Sequence, residues 1–394
     1  MIRPTSRARA WVAWWALLAI NLLVVAKYAA RLGAPWWLVA GAYAAGVAVC
    51  TRRVARRAPS AFACGRSVRW SLLGGSAVLQ VACLVAVSPE TLRVDRWSAM
   101  TAFNSAVLNG VFPYAERTHL GSPLWGLPAA YLVGLPFQWL GDVGYLQVAA
   151  FLLFVFACRR LYSDRYDVSP ALALLATAPL FLWEVAVRSD LISNALLAVL
   201  ALFLCERWRG RLAPGRAAII GGLIGLLACT RVVLLAPLTV YMATYFRRDQ
   251  ATAAFTLAAA AAGVAAAVLA PFILWSPSLF ADNNPFLLQM ALSPVPLRVG
   301  VVVVCLVAGL AIRDFGTQCL AGGLVLSGGV ATAFAVRAVE IGWSRALFDS
   351  GFDISYFDLS APFLVVPLLF AHPLSEGADA PAAAVGVAPA DGGR

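Results

Sequence analysis

The acid Asp95 stands in the string Glu90-Thr-Leu-Arg-Val-Asp95-Arg96-Trp97, just past an apolar run that ends near residue 87. A carboxylate at the end of an apolar run meets water yet reaches back toward a lipid-lined cavity, where it can serve as a general base. The same spacing also suits an interfacial charge cluster of Arg93, Asp95 and Arg96 beside the anchor Trp97. Asp190 follows Arg188 and Ser189 between two runs joined by almost no loop, which predicts the tip of a helical hairpin. There it could bind a ligand or cap the helix that follows. Arg231 interrupts an apolar stretch from Ala217 to Phe246. A lone guanidinium so flanked needs water, an acid or a phosphate, and a structural pair with Asp190 or a tail carboxylate competes with ligand binding.

Three further stretches carry polar groups between apolar runs. The loop Trp275 to Phe286, with Asp282, Asn283 and Asn284, suits either a lid over a polar head group or a plain interfacial connection. Asp349, Asp353, Tyr356 and Asp358 precede the last run, as ligand contacts or as caps for a helix starting near Ser355. His119 shares the Asp95 loop and could bind phosphate or sugar, or simply face solvent. It is one of only two histidines, so no His-based metal site can be assembled. No Walker loop, Rossmann fingerprint or Gly-x-Ser-x-Gly element occurs, which removes nucleotide-driven and serine-hydrolase chemistry.

The elements that must position these residues are membrane helices. Apolar residues make up 62% of the chain and charged ones 12%, far from a soluble composition. The net charge of +11 comes from short arginine clusters between apolar runs, which marks cytoplasmic loops rather than a nucleic-acid surface. The eight cysteines are scattered without Cys-x-x-Cys spacing, so neither disulfides nor zinc is indicated. Arg3, Arg7 and Arg9 precede a long run without a cleavage site, and the first span is expected to stay uncleaved.

Thirteen apolar runs can be drawn, but strict alternation would expose Arg159, Arg160 and Arg165 on the wrong side. The run at 123 to 140, broken by Pro123, Pro128 and Pro136, is the one expected not to cross. Without it, the segments expected on the cytoplasmic side hold 20 of the 30 basic residues. The expectation is an all-α polytopic bundle of about 12 spans plus a re-entrant or juxtamembrane segment. Residues 1 to 374 would form one transmembrane domain, with an extracytoplasmic loop at 88 to 122 carrying amphipathic helices, and residues 375 to 394 a disordered cytoplasmic tail.

The order of these features resembles the GT-C superfamily of integral membrane glycosyltransferases, in particular its bacterial polyprenol-phosphate-sugar-dependent, mannosyltransferase-like branch. The residues that carry the resemblance are Asp95 after an early span, the stretch from Arg96 to Leu108, Gly110-Val-Phe-Pro113-Tyr114, the proline-rich 123 to 136, Asp190 with Asn194, and Arg231. The similarity covers about residues 85 to 300. Two spans instead of one precede the Asp95 loop, and Asp95 is a lone acid followed by Arg96 instead of a paired acidic motif.

The resemblance implies an inverting transfer of a sugar from a polyprenyl-phosphate donor to a glycan, lipid or protein acceptor on the extracytoplasmic side of a bacterial inner membrane. Asp95 would take the acceptor proton, and Arg231, Arg96 and Arg188 would hold the leaving phosphate. Tyr114, His119, Asp190, Asn284, Asp353 and Tyr356 would contact the substrates. No cofactor is implied by the residues, and the lone acid gives a divalent metal no support. Two other readings compete: a flippase or transporter of a lipid-linked anion, and a non-catalytic membrane assembly partner. The near absence of acids and bases from the apolar runs weighs against transport.

Overall fold

The computed structural model describes residues 6–56, 66–162, 168–208, 213–246, 251–349 and 351–370. Arg3, Arg57, Arg165, Arg209, Arg211, Arg394, His372 and the tail from 375, which bear on the expected topology, lie outside the described residues. The chain folds as α1 (Arg7–Arg31), α2 (Trp36–Arg56), α3 (Arg66–Ala86), α4 (Arg96–Leu108), α5 (Pro128–Leu132), α6 (Leu135–Trp139) and α7 (Tyr145–Tyr162). Next come α8 (Ser169–Thr177), α9 (Pro179–Ala186), α10 (Leu191–Arg207), α11 (Pro214–Ala228) and α12 (Leu235–Phe246). The last part holds α13 (Ala251–Trp275), α14 (Pro277–Asp282), α15 (Pro285–Met290), α16 (Val295–Ala311), α17 (Phe315–Ile341), α18 (Trp343–Leu347) and α19 (Ala361–Leu369). A 3-10 helix at Ile354–Ser360 leads into α19. Among the described residues the one β-type pairing is an isolated bridge between Arg117 and Pro123.

By length and composition, α1, α13 and α17 can each cross a membrane, and the count reaches five if each of two bent pairs is one span. The pairs are α9 with α10, bent by 115°, and the 277–290 segment with α16, bent by 66°. Several other apolar runs form helices of only 10 to 17 residues, among them α11 and the segment around α12. Breaks unforeseen in the sequence explain part of this. The run 170 to 187 is divided at Ala178, where the extended backbone before Pro179 ends α8 and starts α9.

The proline-rich run at 123 to 140 contains no helix long enough to cross. Its two helices, α5 and α6, have five residues each, about 7.5 Å of rise. Proline at or beside the first position starts each, and Gly134 separates them. The segment docks instead on the end of α11: Leu127 and Ala129 donate their N–H groups to the carbonyls of Thr230 and Cys229 at 3.2 and 3.1 Å. Helix-end carbonyls that would otherwise be orphaned are thereby satisfied one residue ahead of Arg231. In α4, expected to be amphipathic, the buried set mixes Met100 and Phe103 with Ser98 and Asn104. The polar members are tolerated because each bonds: Asn104 donates to the Tyr131 carbonyl at 3.1 Å and Ser98 to that of Asp95 at 3.0 Å.

Two hydrophobic cores result. The larger joins residues of α1, α3 and α7 to α13 with α17 and α19, and the smaller is an aromatic cluster of Phe103, Phe112, Tyr114, Tyr131, Phe272 and Phe280. Helices α11 and α13 approach backbone to backbone at Gly221 and Gly225, one turn apart. A β-carbon there would lie 2.3 Å from the Leu257 carbonyl oxygen and 2.2 Å from that of Ala261. Such small-residue seams let apolar helices gain van der Waals contact where water does not drive them together. Gly225→Val is therefore expected to force the two helices apart and cost about 1–3 kcal/mol. Thermal unfolding of the purified variant checks this; an unshifted midpoint contradicts it.

Candidate functional site

A cavity of about 520 Å³ opens between the two cores. One part of its wall is apolar, built from Leu235 of α12, Leu297, Val301 and Val302 of α16, and Leu326 and Val330 of α17. The other part is polar. Lys27, Arg31, Arg93, Arg96, Arg231 and Arg298 supply six cationic side chains, against the acids Asp95, Glu184 and Asp353. An excess of cations beside an apolar trough suits an amphipathic anion.

Arg231 is the most buried of these cations, 2% exposed. Its Nε and Nη2 donate to the two oxygens of Asp190 at 2.9 and 2.5 Å. Asn194, one turn along α10, donates to the same carboxylate at 2.9 Å. Asp190 occupies the N-cap position of α10, but its side chain makes no capping bond. The Ser189 hydroxyl takes that part, accepting from the Leu191 N–H at 3.3 Å. The fork–fork pair leaves Arg231 Nη1 buried and without a partner among the described residues. A buried guanidinium N–H left unpaired in a residue that lines a cavity is a point of attachment for an oxyanion.

Asp95 borders the cavity, and its Oδ2 accepts from the Thr118 hydroxyl at 3.0 Å. Arg96, the first residue of α4, donates to Asp353 and, at 2.8 Å, to the Ser355 hydroxyl, with the Tyr356 ring 5.7 Å from its guanidinium carbon. A cation opening a helix opposes the helix dipole, and Asp353 offsets it. Asp353 also accepts from the Ser355 N–H at 3.1 Å and so caps the 3-10 helix. Desolvation pushes Asp353 up, but the Arg96 guanidinium and the Ser355 bonds outweigh it and hold the carboxyl below its usual range. Asp95, Arg96, Arg231, Asp353 and Tyr356 thus share one cavity, with Asp190 directly behind Arg231.

The remaining candidates are elsewhere. Every nitrogen of the Arg188 guanidinium is engaged: Nε with both oxygens of Asp142 at 3.0 and 2.9 Å, Nη1 with the Val87 and Ala186 carbonyls, and Nη2 with that of Leu84. It holds the hairpin to the end of α3 and is absent from the cavity wall. Its backbone is left-handed, with φ of 53°. Tyr114 is fully buried in the aromatic core and donates to the Gly126 carbonyl at 3.0 Å. Asn284 caps α15, accepting from the Phe286 and Leu287 N–H groups. His119 pairs through Nδ1 with the Ser98 hydroxyl at 2.7 Å and packs on Trp97. None of these three lines the cavity.

Because Arg188 combines left-handed backbone with a side-chain clamp, its two costs can be separated. Arg188→Ala is expected to lose roughly 1–3 kcal/mol, and Arg188→Gly to recover about 1 kcal/mol of that by removing the β-carbon strain. Paired thermal melts test the order; alanine matching or exceeding glycine contradicts it.

Several cavity residues escaped sequence reasoning. Lys27 and Glu184 lie inside runs read as apolar spans, and a charge in such a run is itself a functional signal. Lys27 is 3% exposed and donates to the Phe352 carbonyl at 3.2 Å, while Glu184 is 1% exposed and neighbours the fully buried Asp358. Gln289 and Arg298 also escaped it. Among the described residues, no three His, Cys, Asp or Glu side chains converge in a way that could hold a metal ion. Compared with protein-family models, curated proteins and solved structures, the chain matches none.

Proposed function

We propose that this chain is a polytopic inner-membrane glycosyltransferase of GT-C type, with about 12 spans, cytoplasmic termini and an extracytoplasmic site. It moves a sugar from a polyprenyl-phosphate donor to a glycan, lipid or protein acceptor with inversion. The observation that carries the reading is a single cavity lined by Asp95, by Arg231 with its buried, unpaired Nη1, and by an apolar trough. In the proposed step, Asp95 takes the proton of the acceptor hydroxyl as its oxygen bonds to the anomeric carbon. The bond from that carbon to the phosphate oxygen breaks, and its electron pair leaves with the lipid phosphate toward Arg231. Cationic N–H groups in a partly dry site stabilise that growing charge more than the same groups in water.

The test is reconstitution in bilayers with polyprenyl-phosphate-linked sugars of several kinds and an acceptor extract. Free polyprenyl phosphate should appear only when acceptor is present; no release with any donor sinks the reading. A specific observation favours one alternative, transport of a lipid-linked anion. Lys27, Glu184 and Asp358 are buried among apolar helices in a chain whose runs are otherwise nearly free of charge. Ionisable groups so placed are also the mark of coupled transport. Movement of the intact donor between leaflets, without release of the sugar, would select that alternative.

A further inference from the structure

Gln289 belongs to α15, a six-residue helix in the loop between α13 and α16. Its Oε1 accepts from the Val232 N–H at 2.9 Å, the residue directly after Arg231. That bond fixes the amide, because the reversed amide would set two donors against each other. The Nε2 group is left buried and without a partner among the described residues, as is Arg231 Nη1, and both residues line the cavity. Two buried donors, tied through adjacent backbone positions, thus lack partners in residues that line one cavity.

The mounting is rigid. Asn284 caps the start of α15, and Arg298 holds its end, donating from Nη2 to the Met290 carbonyl at 2.8 Å and from Nε to that of Ser293 at 2.6 Å. A donor held in this way has little rotamer entropy left to lose when a ligand arrives. Leaving two such donors unmet is costly, and the partner they call for has acceptors only and negative charge. We propose that Gln289 is a binding residue whose amide N–H, together with Arg231 Nη1, grips a phosphoryl group of the ligand. The assignment rests on the phosphate-donor reading and adds a neutral donor that the arginine pattern does not contain.

The experiment measures binding of farnesyl phosphate and of inorganic phosphate to the full chain in detergent, for wild type, Gln289→Glu and Gln289→Leu. Gln289→Glu keeps an oxygen for the Val232 N–H, so it should melt with wild type while turning an attractive group repulsive. Expected is wild-type binding of farnesyl phosphate, weakened about tenfold in Gln289→Leu and about a hundredfold in Gln289→Glu. Both variants binding within about twofold of wild type overturns the role of Gln289 and leaves the phosphate-lipid reading standing. Inorganic phosphate bound as tightly as farnesyl phosphate, with the same losses, supports Gln289 but counts against a lipid ligand. Wild type binding neither probe overturns both.

Discussion

Asp190→Ala is expected to cost about 3–5 kcal/mol of stability and to abolish ligand binding, because it strands a buried guanidinium. Arg231 and Asp190 are 2% and 1% exposed, so bulk water compensates the stranded charge poorly once the pair is broken. Asn194 loses its acceptor as well, which leaves several donors unmet around one missing carboxylate. The double variant Asp190→Ala with Arg231→Met should recover most of the loss, since an apolar replacement of both partners removes the charge that needed a counter-ion. Thermal unfolding of the two variants and wild type measures it. A single variant melting within about 1 kcal/mol of wild type, well below the cost of a stranded charge, means that the pair is hydrated and the guanidinium is not held as described.

The second large effect is catalytic. Asp95→Asn should reduce sugar transfer by about 10²–10⁴-fold, the usual contribution of a positioned general base. The amide keeps an oxygen for the Thr118 hydroxyl, so folding should be unaffected. Donor binding should also persist, because it depends on Arg231 and its neighbours. The expected signature is a fall in kcat with little change in the donor KM. A kcat retained within about threefold, against the losses usual for a missing base, would show that another group, or none, takes the proton.

Much of this site could be read before any coordinates, for a definite reason. A charge surrounded by apolar sequence must find a partner, so Arg231 called for water, a phosphate or an acid, with Asp190 one of the acids on offer, and the spacing around Asp95 suggested a water edge. The resemblance made Arg188 a phosphate ligand, yet its partners are mostly backbone carbonyls, which any sequence supplies and no pattern reveals. Tyr114 and Asn284 misled in the other direction: an aromatic hydroxyl and a loop amide serve folding as readily as binding, and here they bond to Gly126 and to the start of α15. Gln289 carries no charge, and nothing in its neighbourhood of the sequence pointed to Val232. Lys27 and Glu184 were visible as charges in apolar runs but were absorbed into the spans. The break between α9 and α10 falls where two apolar runs meet and was legible, whereas the break at Ala178 follows from the backbone before Pro179, which hydropathy does not encode.

The clamp around Arg188 also implies an order of events during synthesis. Every acceptor of its guanidinium precedes it in the chain, at separations of 104, 101, 46 and 2 residues. The hairpin can therefore lock as soon as it emerges. Asp190 must wait for Arg231, 41 residues later, and Arg96 for Asp353, 257 residues later. A nascent chain thus secures its scaffold first, the guanidinium of the pocket second and the rim last. A chain stopped between 231 and 353 would hold the first two and lack the third.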